Sequence, residues 1–280
     1  MNKFRTKKWV FALVFLFILL LPGCSNKVDS SITAKAQTEK QSTKVDDIKK
    51  AGKLVIGTSA GFPPFEFHKE INGKDTIVGA DILIAKEVAK DLGVELEIKD
   101  MDFKGLLSAL QTDNIDLVLA GMSATDERKK SVDFSNIYYK GEQGVLVRKS
   151  DKDKFKTLAD LKGTKIGVQK ASIQVSMAKE QIENSDVKEL NKIPDIILSL
   201  KGSNVDAVLL DAQVAASYAN KNDDLYLTEV QLKQTSAGMA AAIKKGNQEL
   251  VDAVNKTLNR LFTDKSIEKF VTESQQLADE

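Results

Sequence analysis

Two distant stretches of this chain repeat one pattern. Ala109-Leu110-Gln111-Thr112-Asp113-Asn114-Ile115-Asp116-Leu117-Val118-Leu119 is matched by Ser199-Leu200-Lys201-Gly202-Ser203-Asn204-Val205-Asp206-Ala207-Val208-Leu209. Each reads as a helix end, a turn carrying Asn, a β-branched residue followed by Asp, and an apolar strand. Each strand runs into a polar turn, Gly121-Met122-Ser123 in the first copy and Asp211 in the second. A chain with this repeat is expected to fold as two lobes of similar build.

Strand and helix signals alternate around both copies. In the first half, Leu54 to Gly57 reads as a buried strand. Asn72-Gly73 reads as a hairpin turn, and Ile82 to Leu92 as an amphipathic helix closed by Gly93. Val94 to Ile98 is a further strand and Phe103 to Leu110 a further helix. In the second half, Thr157 to Asp160 resembles a capping box. Lys165 to Val168 is a strand, Ile173 to Ile182 a helix, Asp195 to Lys201 a helix, and Asp211 to Ala219 another. The spacing predicts a packing helix over Asn247 to Phe262 and a short one over Ile267 to Val271. This order predicts an α/β fold with largely parallel sheets flanked by helices.

The N-terminus carries Lys3, Arg5, Lys7 and Lys8 before the apolar run Val10 to Leu21. That run falls short of the roughly 20 residues that a spanning helix needs, and reads as a secretory signal. Leu21-Pro22-Gly23-Cys24 resembles a bacterial lipobox, so Cys24 is expected to be lipidated after cleavage behind residue 23. Pro22 departs from the small residue usual there. Residues 24–44, rich in Ser, Thr, Lys and Gln, are expected to be a tether, with the folded part starting near Val45. The chain would then sit at the extracellular face of the cell membrane, held by its lipid.

Composition removes several functions. A net charge of +1 gives no field suited to nucleic acid. One cysteine and one histidine leave no internal disulfide and little basis for a His/Cys metal site. His68, between Phe67 and Lys69, reads as an exposed loop residue.

Ala120 to Arg128 is the richest segment chemically. A strand delivers the chain to Gly121, where the backbone can approach a partner closely. Ser123 and Thr125 follow, and Arg128 lies about one turn into a helix. Helix N–H groups with one guanidinium suit a small anion. A capped turn with a solvated arginine fits the same residues.

The motifs taken together are more specific. They are Phe62-Pro63-Pro64-Phe65-Glu66-Phe67, Gly79-Ala80-Asp81, Ala120 to Arg128, Val132 to Tyr139, Asp160 to Gly163 with Ile166 to Gln169, and Val205 to Val208 with Asp211. In this order, from about Val45 almost to the C-terminus, they resemble the extracellular solute-binding proteins of family 3. The detailed pattern is similar to the Gram-positive lipoproteins that bind polar amino acids for ABC importers. The resemblance implies a two-lobed, type II periplasmic-binding-protein-like fold with ligand in the interlobe cleft and two crossing hinge strands. Lobe one would hold 45–140 and 237–280, and lobe two 141–236, with hinge closure around ligand. It implies no cofactor. The expected partners are a free L-amino acid and an importer's permease and ATPase, with the protein acting as a monomer.

Site residues follow from the same resemblance. Arg128 would take the ligand carboxylate in a fork of hydrogen bonds. Ser123 would give an N–H and a hydroxyl, and Gly121, beside Ala120, a carbonyl to the ammonium. Asp211 would pair with the ammonium from lobe two. Phe62 and Phe103 would pack on the ligand side chain. Ser172 and Ile173 would add helix N–H groups, and Gln169 would face the side-chain end. The alternatives are plain ones: Asp211, Ser172 and Asp81 as helix caps, Phe103 as core, and Tyr138 and Tyr139 as hinge packing.

A buried zwitterion needs a partner for each charge, which Arg128 and Asp211 would supply from opposite lobes. The residues before Phe62 are Ser59, Ala60 and Gly61, none acidic, which favours glutamine or asparagine, then arginine. Glu66, Asp100 and Glu142 are acids whose place sequence does not give. The competing functions are a cyclohexadienyl-dehydratase-like enzyme, which would need an acid/base group over the substrate, and a sensor or adhesin.

Overall fold

The computed structural model describes residues 42–280. The expected leader, Cys24 and nearly all of the tether lie outside them. Helix α1 (Lys44–Ala51) starts one residue before Val45, because Thr43 and Asp46 form a capping box around its first turn.

The first lobe then forms in chain order. Strand β1 (Lys53–Thr58) is followed by the hairpin of β2 (Phe67–Ile71) and β3 (Lys74–Val78), which turns at Asn72-Gly73. Next come α2 (Ala80–Leu92), β4 (Glu95–Asp100), one 3-10 turn at Phe103–Gly105, and α3 (Leu106–Gln111). Then β5 (Leu117–Val118), α4 (Asp126–Lys129) and β6 (Val132–Phe134) complete this stretch. The second lobe holds β7 (Gln143–Arg148), β8 (Lys165–Gln169), α5 (Ile173–Gln181), β9 (Asp186–Leu190), α6 (Ile193–Lys201), β10 (Ala207–Asp211), α7 (Ala212–Lys221) and β11 (Leu225–Leu227). The chain returns through β12 (Ala242–Lys244) and ends in α8 (Gln248–Thr263) and α9 (Ser266–Asp279).

Two five-stranded sheets result, ordered β4-β1-β5-β12-β6 and β11-β7-β10-β8-β9. Each has three parallel neighbours, as the alternating pattern predicts. Each also carries antiparallel strands beside the hinge, β12 with β6 in one and β7 with β11 in the other. These arise because the chain leaves the first lobe after β6 and returns as β12. Short strands with few apolar positions, such as β6 and β11, carry no periodicity that a sequence reading could use. The connections meet where Tyr139 and Met239 form a bridge, with Met239 N–H donating to Tyr139 O at 2.8 Å.

The sequence repeat is a structural repeat. Asp116 exchanges main-chain and side-chain bonds with Val55 of β1: its N–H donates to Val55 O at 2.7 Å, and its carboxylate accepts from Val55 N–H at 2.9 Å. Asp206 does the same with Lys165 of β8, at 2.8 and 2.9 Å. The preceding turn residues, Asp113 and Ser203, share a left-handed backbone, φ 57° and 59°. One small polar turn therefore docks a strand beside its parallel neighbour in both lobes, and fixes where each strand's C-terminal end falls.

Both faces of each sheet are covered, which explains the continuous apolar runs of the parallel strands. Leu54, Ile56, Val88 and Leu258 pack on one face of the first sheet, and Leu106, Leu110 and Val118 on the other. In the second lobe Ile196, Leu200 and Val214 lie on one side, and Val145, Met177 and Leu209 on the other. Three local expectations need correction. His68 lies on β2 rather than in a loop, its exposed ring 2.9 Å from Asp75. Helix α6 starts at Ile193 because Pro194 fits the first turn of a helix. The last helix has 14 residues, its buried face continuing through Ser274 and Ala278, whose small side chains give a weak apolar signal. Among the described residues no helix is long and apolar enough to cross a membrane.

Candidate functional site

The C-terminal end of β5 opens directly into the cleft between the lobes. Gly121 adopts φ 55°, and a Cβ there would lie 2.4 Å from the Phe62 ring. The missing side chain lets Phe62 lie flat on the strand end. Gly121 N–H donates to Asp81 at 2.8 Å, which holds the turn rigid. Thr125 then caps α4 by accepting from Arg128 N–H at 3.2 Å. The cap and the helix expected here are both present, yet the arginine is not simply solvated.

Arg128 turns back over the cleft. Its guanidinium donates to Ser123 O at 2.8 Å and to Ala171 O of the second lobe at 2.9 Å. It also stands 5.4 Å from the centroid of Phe103, within reach of a cation–π contact. Burial without a compensating anion pulls its pKa down to about 10. No carboxylate among the described residues pairs with it.

The opposite wall comes from the second lobe. Asp211 ends β10 and caps α7, accepting from Gln213 N–H at 3.0 Å, so the capping and cleft positions are one. It is 2% exposed and has no cation partner among the described residues, and burial pushes its carboxyl up to about 7 against the two N–H groups that lower it. Gly141 makes this placement possible, since a Cβ there would fall 2.1 Å from Asp211 Oδ2. Ser172 precedes α5 at the N-cap position but makes no capping bond, and its hydroxyl is buried without a partner. The cap-only reading of Ser172 is therefore wrong. Ala171, at φ 65°, turns the chain so that its carbonyl meets Arg128.

All ten ligand-site residues expected from sequence line one cleft: Arg128, Asp211, Ser123, Gly121, Ala120, Phe62, Phe103, Ser172, Ile173 and Gln169. Phe103 is both wall and core, at 8% exposed. Asp81 does not cap α2, whose N-cap is Gly79; it is fully buried and accepts from Tyr138 Oη at 2.7 Å. Tyr138 and Tyr139 pack at the crossing, Tyr139 edge-on to Phe65 at 4.8 Å.

Glu66 is the residue the sequence reading left without a place. It is 0% exposed, lines the cleft, and neither carboxylate oxygen has a hydrogen-bond partner among the described residues. Desolvation first, and then the charges of Asp81 and Asp100, hold its carboxyl well above the usual range. The signal was in the Pro63-Pro64 turn. It folds residue 66 back on residue 62, so that Gly61 and Phe62 N–H groups donate to Glu66 O at 3.0 and 2.8 Å. Asp100 stays at the rim, accepting from Ala60 N–H, and the Glu142 side chain is exposed. The two lobes also touch through Tyr218, whose hydroxyl donates to Gly61 O at 2.8 Å, and through Lys192 with Asp100 at 3.8 Å.

The cleft thus presents one unpaired cation and two buried acids, arranged around aromatic walls. Comparison with known proteins agrees in kind. The family described as bacterial extracellular solute-binding proteins, family 3, matches residues 54–273. The arginine-binding extracellular protein ArtP of Bacillus subtilis is 37% identical over 267 residues, covering 94% of this chain and 96% of ArtP. An amino acid ABC transporter substrate-binding protein, AbpA of Streptococcus pneumoniae, was solved bound to L-arginine. It is 38% identical, covers 84% of this chain and 99% of its own, and superposes with a TM-score of 0.82. The glutamine-binding protein GlnH of Bacillus subtilis is 31% identical, covering 92% of this chain and 93% of GlnH.

Proposed function

Since the chain belongs to the bacterial extracellular solute-binding proteins of family 3, we propose that it captures an L-amino acid with a cationic side chain, arginine foremost. It is an amino-acid ABC transporter substrate-binding protein. The observation that carries the finer reading is Glu66, a buried carboxylate facing the cleft with both oxygens unpartnered. Arginine brings one anion and two cations; the cleft offers Arg128, Asp211 and Glu66. Each charge then finds an opposite one in a water-poor site, where an unpaired charge is most costly. Glutamine would leave Glu66 without a counter-ion. This reverses the order expected from residues 59–61, because the relevant acid follows Phe62 instead of preceding it. The greater similarity to arginine-binding relatives than to the glutamine-binding one supports the same order.

In this reading Arg128 and the N–H groups before α5 hold the carboxylate, and Asp211 and Gly121 O the ammonium. The side chain runs between Phe62 and Phe103 toward Glu66. The carboxylate and ammonium partners sit on different lobes, so ligand stabilises closure. We take lobe one as 45–140 and 237–280, lobe two as 141–236, and Cys24 as the lipid attachment. A second reading keeps Glu66 protonated as a donor to a neutral amide, which its raised pKa favours.

A thermal-shift panel of the twenty L-amino acids and citrulline separates these readings. Arginine at 100 times its Kd should add about 2.7 kcal/mol of stability. A larger shift with glutamine than with arginine at equal concentration would reject the cationic reading. A smaller test concerns Gly141. Gly141→Ala drives a methyl into Asp211 and should cost about 1–3 kcal/mol of affinity, the usual range for overpacking. Calorimetric Kd values within twofold of wild type would mean that Asp211 needs no such room.

A further inference from the structure

Glu66 raises a question of charge that goes beyond which ligand binds. Its carboxyl is enclosed by groups that do not stabilise a negative charge. Its own turn carries Phe62 and Phe65, packed on each other at 5.6 Å; from α2 comes Asp81, itself an acid; from the end of β4 comes Asp100. Asp100 also faces two exposed basic partners, His68 Nε2 at 3.7 Å and Lys192 at 3.8 Å. From the crossing comes Tyr138, whose hydroxyl is spent on Asp81. Arg128 and Asp211 line the same cleft, but neither makes a hydrogen bond to Glu66. A buried carboxylate with no donor and two acidic neighbours is unstable as an anion, and takes up a proton instead.

We propose that the cleft exchanges a proton for the ligand's side-chain cation: empty, it holds Glu66 as the neutral acid, and an entering guanidinium displaces that proton to solvent. The inference rests on the cationic-ligand reading above. The exchange balances: Glu66 carboxylic acid and a cationic ligand become a Glu66 carboxylate paired with that cation, plus one proton taken by the buffer. The total charge inside the cleft is the same before and after at this position. The protein therefore never buries an unpaired charge there, with ligand or without it.

Two consequences follow. The ligand-free pKa of Glu66 is raised, and pairing with a guanidinium lowers it, so binding releases protons. Affinity for arginine relative to an uncharged isostere then rises with pH, by up to about tenfold per pH unit while Glu66 is protonated in the empty cleft, and levels off above that. An uncharged isostere such as citrulline leaves the Glu66 proton in place. Asp211 gives up its proton to solvent when any amino-acid ammonium arrives, so its contribution is common to both ligands and cancels in a comparison.

Isothermal titration of the purified protein in two buffers of different ionisation enthalpy, at about pH 7, counts the protons. Arginine is expected to release more protons than citrulline, and Glu66→Gln to abolish the difference in whatever ligand range it still binds. Phosphate and imidazole are suitable buffers. If arginine binds tightly with the same proton count as citrulline, the exchange is overturned and the cationic-ligand reading stands. If arginine fails to bind wild type while a neutral amino acid binds, both are overturned. A pH series gives an independent check, since equal slopes for arginine and citrulline would also reject the exchange.

Discussion

Arg128→Ala is expected to weaken amino-acid binding by about 2–5 kcal/mol, the range for removing one partner of a buried, hydrogen-bonded charge pair. That corresponds to a Kd raised by roughly 30-fold to several thousand-fold. The guanidinium is unpaired yet fixed, by Ser123 O on one lobe, Ala171 O on the other and the Phe103 face between. An incoming carboxylate meets donors already oriented, with little ordering left to do. Without Arg128 it would be desolvated against a serine hydroxyl and a few N–H groups. Arg128→Lys should recover only part of the loss, because a compact ammonium lacks the planar fork that meets a carboxylate with two parallel hydrogen bonds. Without ligand the variant should be no less stable than wild type, since it removes a cation that burial disfavours. Titration calorimetry and melting curves on the same samples read both quantities. Ligand affinity within threefold of wild type would remove Arg128 from the site.

Asp211 predicts a matching loss for a different reason. It lies 2% exposed beneath the cleft surface, anchored by the first turn of α7, so Asp211→Ala would both strip the ammonium's partner and uncap a helix. The binding loss is therefore best read from Asp211→Asn, which keeps an oxygen to cap the helix and removes the charge.

Sequence carried the fold because its devices are local and repeated. The Asp116 and Asp206 turns, the Gly93 stop and the Thr125 cap each have a mechanism readable from a few neighbouring residues. The polar turns at strand ends were legible for the same reason, since a strand that ends at a polar turn brings that turn to the edge of the sheet; their ligand roles were implied by the resemblance to the solute-binding family. Two kinds of feature were not legible. Strands β6 and β12 pair in one lobe and β7 and β11 in the other, and that pairing depends on where a long chain leaves and returns, not on local pattern. Glu66 was hidden by its surroundings. An acid between two phenylalanines has the alternation of a strand with its polar side out, yet Phe65, Glu66 and Phe67 are all buried. The Pro63-Pro64 turn brings Glu66 beside Phe62, and Asp81, held by Gly121 and Tyr138, closes the space behind it. The turn is local, but Asp81, Gly121 and Tyr138 are all distant from Glu66 in sequence.

The side-chain end of the cleft makes the strongest prediction about choice of ligand. Glu66→Gln keeps the shape of the residue and removes its ability to hold a negative charge. Arginine affinity should fall by about 2–5 kcal/mol, because the guanidinium would be buried without its counter-ion. Citrulline and glutamine should lose little, within roughly threefold, since an amide can satisfy an amide with both groups neutral. The ratio of arginine to glutamine affinity would then drop by roughly tenfold to several thousand-fold, shifting the preference toward neutral ligands without any change in the carboxylate and ammonium contacts. The variant also tests whether Glu66 is there for stability. Both of its oxygens lack partners, so nothing in the folded chain depends on the charge, and the ligand-free melting temperature should hold or rise. If Glu66→Gln instead lowered the affinity for arginine, citrulline and glutamine alike, Glu66 would be shaping the cleft and not reading the side chain, and the cationic assignment would lose its support.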